Sequence, residues 1–229
     1  MDCGVGNKKK HLDRCRADRK DRGMHTDGIL LLGPTGAGKS PLGDCLQAHG
    51  LGGLSCRHFD FGENLRRAAA LVVSPPEGLD ADDMATICRV LRDGALLEDD
   101  QFYIAAAILR DFIQREVAGP SACIVMNGLP RHVGQAEAID ALVAIGSVVV
   151  LDCDAQTVRA RISSNAGGDR EGRGDDAPGD VERKLRLYEA RTAPLIAYYR
   201  KKGVRILQCH VSVLTQAEDI RRRIESTRG

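Results

Sequence analysis

Gly33-Pro34-Thr35-Gly36-Ala37-Gly38-Lys39-Ser40 fits the phosphate-loop template G-x-x-x-x-G-K-[ST] at every fixed position. Ile29-Leu30-Leu31-Leu32 before it is a short apolar run, the pattern of a buried parallel strand. Behind it, Leu42, Cys45 and Leu46 recur at helical spacing. The stretch reads as strand, glycine loop, helix. Glycines let the backbone curl until its N–H groups face inward, and the next helix points its positive end at the same spot. Every residue of the loop is thus a candidate for binding phosphate. Lys39 is placed to reach β- and γ-phosphates, and the Ser40 hydroxyl to hold Mg²⁺. Pro41 is tolerated because early helix positions have no intrahelical N–H bond to lose. The plainer alternative is a glycine-rich turn with no ligand.

The chain has 229 residues, enough for one α/β domain with a sizeable core. A net charge of +1, few aromatics and no Trp make no case for nucleic acid or base stacking. Eight cysteines form no C-x-x-C pair, and Cys56, Cys123 and Cys153 lie in apolar runs. They read as free thiols in a reducing compartment. No apolar run approaches membrane-spanning length and no apolar core marks a signal peptide, so a cytoplasmic protein without membrane contact is expected. Residues 1–26 carry Lys8-Lys9-Lys10 and several arginines among aspartates, and are expected to be a disordered basic tail.

Further along, Arg57–Phe61 reads as a second strand. Helices are expected over Gly62–Val73, over Asp82–Leu91 with Asp80 or Asp82 as cap, and over Asp99–Val117. Ala122–Met126 is a strand, Gly134–Ile145 a helix, Val148–Leu151 a strand and Ala155–Ser163 a helix. Residues 165–179, rich in Gly, Asp and Arg, read as a mobile charged loop. A helix follows over Gly179–Lys202, kinked or split at Pro194, then a strand at Val204–Leu207 and a helix over Leu214–Thr227. Apolar strands alternating with helices predict a five-stranded parallel sheet covered on both faces. The ligand then sits beyond the carboxyl ends of the strands. That rule gathers the phosphate loop, Asp60–Arg66, Asn127–Arg131 and the arginines after Asp152 around one cleft.

From residue 28 to about 225 the chain resembles the adenylate kinases, the nucleoside monophosphate kinases. The resemblance rests on the loop and on Gly62-Glu63-Asn64-Leu65-Arg66, similar to the family's G-D-x-L-R. It also rests on Asp93-Gly94-Ala95-Leu96-Leu97 and on Asn127-Gly128-Leu129-Pro130-Arg131 with Gln135-Ala136-Glu137, similar to D-G-F-P-R…Q-A-E. Arg173-Gly174-Asp175-Asp176 and Arg191–Tyr199 continue it. The fold implied is the three-layer α/β/α of the P-loop NTPases over 27–229. It carries a helical acceptor-binding insertion at about 60–98 and a short lid at about 165–179, without structural zinc.

The resemblance implies ATP at Gly33–Ser40 and a nucleoside monophosphate, foremost AMP, at Phe61, Gly62, Arg66, Leu97, Gly128, Arg131 and Gln135. Catalytic charge is implied for Lys39, Arg131, Arg161, Arg173 and Lys184. Mg²⁺ is the expected cofactor, with Ser40 as ligand and Asn127 beside it. A monomer is expected. Several positions depart from the pattern. Asn127 replaces the aspartate that orients the metal's water shell, Phe61 a threonine, Asn165 a lid arginine and Lys184 an arginine. These departures keep open a different small acceptor, or a nucleotide-binding module with little turnover. Phosphoryl transfer itself asks for positioned cations and no nucleophile, so histidines and cysteines read as bystanders.

Overall fold

The structure is a computed structural model that describes residues 26–70, 75–95, 97–117, 122–169 and 177–227. Five strands form one sheet: β1 (Thr26–Leu32), β2 (Ser55–Asp60), β3 (Ala122–Asn127), β4 (Val143–Asp152) and β5 (Arg205–His210). Their order is β2-β3-β1-β4-β5, and every pairing is parallel. The helices are α1 (Lys39–His49), α2 (Phe61–Ala70), α3 (Ala81–Asp93), α4 (Phe102–Glu116) and α5 (Val133–Asp140). After these come α6 (Ala155–Ser163), α7 (Pro178–Leu187), α8 (Pro194–Lys201) and α9 (Ala217–Ser226).

Why the strands are apolar without interruption is visible in where alternate residues go. Leu30, Leu32, Ile124, Met126, Val148 and Val150 join one core with residues of α2, α3, α4, α5 and α8. Their neighbours Ile29, Leu31, Val125, Val149 and Leu151 join the opposite core with α1 and α9. Along Ile29–Leu32, Cys123–Met126 and Val148–Leu151 no strand residue has a solvent side, so period-2 alternation is absent there. The outer strands β2 and β5, by contrast, expose Ser55, Arg57, Arg205 and Gln208. The three-layer expectation holds.

Helix boundaries follow local chemistry where it is strong. Asp80 caps α3, its carboxylate accepting from Asp83 N at 2.9 Å while the Asp83 carboxylate accepts from Asp80 N at 3.1 Å. Asp154 caps α6, accepting from Thr157 N at 2.7 Å. The expected long helix over Gly179–Lys202 divides at a π turn, Tyr188–Thr192, just before Pro194. Ala193 N donates to Tyr188 O at 2.8 Å, a wider ring than the α-helical one, and Pro194 has no N–H to give.

Three expectations are corrected. The helix expected to reach Ile145 stops at Asp140, because Val143, Ala144 and Ile145 pair with Thr26, Asp27 and Gly28 of β1. Tertiary pairing of β-branched residues wins there over helical spacing. Phe61 opens α2 rather than ending β2, since Asp60 Oδ1 accepts from Glu63 N at 3.0 Å in the manner of an N-cap. The turn Asp99–Gln101 is 3₁₀, with α4 starting only at Phe102. The expected basic tail, and Arg173 in the expected lid, lie outside the described residues.

One helical glycine is set by contact. A Cβ at Gly43 in α1 would lie 2.2–2.5 Å from the His58 ring. That ring is anchored, Nδ1 lying 2.8 Å from Asp44 Oδ1. Helix propensity alone favours Gly→Ala by about 1 kcal/mol. We expect Gly43→Ala to destabilise instead, by about 1–3 kcal/mol from overpacking, in equilibrium urea unfolding.

Candidate active site

β1 ends at Leu32 and the chain turns through the phosphate loop into α1. Gly38 sits at the N-cap with φ 95°, a left-handed conformation that costs glycine nothing, and offers no side chain to the first N–H groups of α1. Those donors are what a phosphate would meet. Lys39 Nζ donates to the carbonyls of Gly33 and Pro34, each at 2.7 Å, so the ammonium is curled over the loop. Gly33, Thr35, Gly36, Gly38, Lys39 and Ser40 line a cavity of about 300 Å³. Pro34 and Ala37 do not; both are buried, Ala37 completely.

The same cavity runs beneath the carboxyl ends of β2 and β3. Phe61, Gly62, Arg66 and Leu97 line the side where the acceptor is expected. Asn127, Gly128 and Arg131 line it from β3 and the loop that follows, and Lys184 from α7. Arg131 is held from two directions. Its Nε donates to Gly128 O at 2.9 Å, and its guanidinium lies 5.9 Å from the centroid of the Phe61 ring. An aromatic face there steadies a cation. Desolvation pulls the Arg131 guanidinium below its ordinary pKa, with Asp60 pushing the other way. A guanidinium titrates so high that the charge remains at neutral pH, and a partly dehydrated cation gains more from a phosphate.

Two expected roles are altered by geometry. Arg161 does not line the cavity and is nearly buried. Its Nε donates to Gly36 O at 3.1 Å, and its Nη1 to Ser212 O at 2.8 Å and Thr215 O at 3.0 Å. It braces the phosphate loop against the turn after β5 rather than facing the transferred group. Gln135 is 1% exposed and both ends of its amide bind backbone: Oε1 accepts from Arg131 N at 2.9 Å and Nε2 donates to Leu97 O at 2.8 Å. It fixes the two acceptor-side elements to each other.

Of the three basic residues at 183, 184 and 186, only Lys184 reaches the cavity. Arg183 donates instead to Gly94 O at 3.1 Å, and Arg191 to Glu98 at 3.0 Å. These contacts tie the late helices to the acceptor segment. Asn165 sits at the end of α6 with φ 48°, away from the cavity lining.

Sequence reasoning placed Asp60 at the cleft and gave it no role. Its Oδ2 accepts from Ser40 Oγ at 2.8 Å and from Asn127 Nδ2 at 2.8 Å; Asn127 Nδ2 also lies 3.1 Å from Ser40 Oγ. A hydroxyl, a carboxylate and an amide thus converge where the metal is expected. This oxygen-rich set suits a hard cation such as Mg²⁺, which keeps most of its water and needs few protein oxygens. The one signal available in the sequence was an aspartate closing a strand beside the loop.

Away from the cleft, Cys45, His49 and Glu218 lie close enough to share a metal. Burial, with Glu218 beside it, pushes the Cys45 thiol up to about 11, so it is not a thiolate at neutral pH. Glu218 already accepts from Arg221 and Arg222, whose charges oppose a cation.

No family model matches the chain. It is 35% identical over 182 residues to an adenylate kinase of Parvibaculum lavamentivorans, covering 76% of this chain and 80% of that one. An adenylate kinase of Methylobacterium radiotolerans is 34% identical over 186 residues, covering 76% and 84%. One of Xylella fastidiosa is 30% identical over 183 residues, covering 77% and 87%. A gluconokinase structure from Sinorhizobium meliloti overlays with TM-score 0.49 at 17% identity, covering 87% of this chain and 90% of that one. A likeness that loose bears on neither substrate nor mechanism. By these relatives, 30–35% identical over about three quarters of the chain, this chain belongs to the adenylate kinase family.

Proposed function

We propose that the protein transfers the γ-phosphoryl group of ATP to a nucleoside monophosphate, with AMP + ATP giving two ADP as the leading case. The observation behind this reading is that Lys39, Arg66, Arg131 and Lys184 line one cavity with the phosphate loop. The transferring group passes through a loosely bonded state whose charge spreads over its oxygens. Catalysis then amounts to holding two phosphates in line and neutralising that charge. Lys39 lets go of the Gly33 and Pro34 carbonyls to take the β- and γ-oxygens. Arg66 and Arg131 hold the acceptor phosphate, and a guanidinium can do so through two bonds. Lys184 adds a point charge from the opposite wall. Bound beside Ser40, Mg²⁺ would neutralise charge on the β- and γ-phosphates.

A second reading, a different small acceptor, is favoured by two observations. The Gln135 amide is already spent on backbone at both ends. Phe61 puts an apolar ring where a threonine hydroxyl was expected. The carboxylate beside Ser40 supports turnover over the reading as a nucleotide-binding module, which Asn127, Asn165 and Lys184 motivated.

The test is ADP formation with ATP–Mg²⁺ against a panel of nucleoside monophosphates and small hydroxyl compounds. We expect AMP to be the best acceptor; turnover with a non-nucleotide alone would displace the leading case. We expect Lys39→Ala to lower kcat by about 100-fold or more with stability unchanged, because its charge acts on the transferring group. Near-normal turnover would mean that the loop binds no ATP phosphate. Arg161→Ala is expected to behave in the opposite way. It strips donors from buried carbonyls and should cost about 1–3 kcal/mol of stability in chemical denaturation.

A further inference from the structure

Strands β2 and β3 are parallel and in register, and Asp60 is the partner of Asn127. Both residues close their strands and line the cavity, each within hydrogen-bond distance of Ser40 Oγ. A residue at either position can therefore present a side chain to the same point. In the resemblance, the carboxylate expected here belonged to position 127. In this chain position 127 holds an amide and position 60 holds the carboxylate.

We propose that Asp60 is the carboxylate that holds hydrated Mg²⁺ against Ser40, the charge having passed from the end of β3 to the end of β2. This rests on the reading of the loop as an ATP site. Three observations carry it. Ser40 gives its hydrogen to Asp60 Oδ2, which leaves hydroxyl lone-pair density for a cation. Asn127 donates to that same oxygen, and an amide is what can stand 2.8 Å from an ionised carboxylate. The flipped amide would set oxygen against oxygen, so the donor assignment is fixed by its partner. A second carboxylate at 127 would face Asp60 at that distance, and like charges so close do not both stay ionised. The pair is built for one charge, and Asp60 carries it.

Asp60 also caps α2 through Oδ1, which accepts from Glu63 N at 3.0 Å. Asparagine caps about as well as aspartate, so Asp60→Asn keeps volume and cap and removes the charge together with the acceptor that Ser40 and Asn127 share. The experiment is Mn²⁺ titration of the full-length protein saturated with ATP, followed by the free-ion EPR signal. ATP binding in EDTA is measured alongside. We expect Asp60→Asn to weaken Mn²⁺ binding by about 10- to 100-fold, the usual cost of removing a group that orients a metal's ligands. ATP affinity in EDTA should be unchanged or tighter. Adding Asn127→Asp to Asp60→Asn should restore Mn²⁺ binding, whereas Asn127→Asp alone should not improve it. Unchanged Mn²⁺ affinity in Asp60→Asn overturns the proposal. So does a loss of ATP affinity in EDTA, which would make Asp60 a structural cap, and so does a double variant no better than Asp60→Asn. Wild-type protein that binds no ATP in EDTA would instead sink the nucleotide reading, and this inference with it.

Discussion

Parallel pairing of β1 between β3 and β4, with both faces of the sheet buried, is the constraint everything else answers to. Parallel strands all end at the same edge, and a sheet covered on both sides leaves that edge as the place where backbone turns meet solvent. The phosphate loop, Asp60 and Asn127 are three consequences of one geometry. The loop follows β1 directly, and Asp60 and Asn127 close β2 and β3. None is brought there by a contact of its own. The core works as a jig that sets polar groups within about 3 Å of one another without any of them supplying the packing energy.

The phosphate loop was legible because its chemistry is local: glycines, a lysine and a hydroxyl at fixed offsets between an apolar run and a helix. The helix at Ala155–Ser163 was legible for a similar reason, with Asp154 supplying its cap. Val143–Ile145 was not. Its residues satisfy helical spacing as well as strand composition, and only the neighbouring β1 decides between them. Asp60 was illegible in a stricter sense. Its partners Ser40 and Asn127 lie 20 and 67 residues away, and what joins them is strand register. Arg161 was expected to face the transferred group, and its side chain is bonded to Gly36, Ser212 and Thr215 carbonyls. Its distance from Ser212 and Thr215 along the chain hid the carbonyls that occupy it.

The acceptor side trades hydration for preorganisation. Arg131 gives up water to sit over Phe61 and against Gly128 O, and its depressed pKa records that cost. Gln135 is similarly committed, joining Arg131's backbone to Leu97. A site assembled this way has little to rearrange when an acceptor phosphate arrives, since its cation is already fixed and partly dry. The ATP side differs. On the proposed function, Lys39 would leave two carbonyls to reach a phosphate, exchanging the hydrogen bonds it now makes within the loop.

The register between Asp60 and Asn127 has a consequence for how sequences like this one are judged active or dead. A criterion that inspects a single position finds an amide at 127 and scores a missing acid. A criterion that inspects the cross-strand pair finds a carboxylate at 60 bonded to the amide at 127. In a parallel sheet, adjacent strand ends are interchangeable addresses for the same chemistry. The unit to compare between distant kinases is therefore the pair of strand ends, and a substitution at one is interpretable only with its neighbour in view.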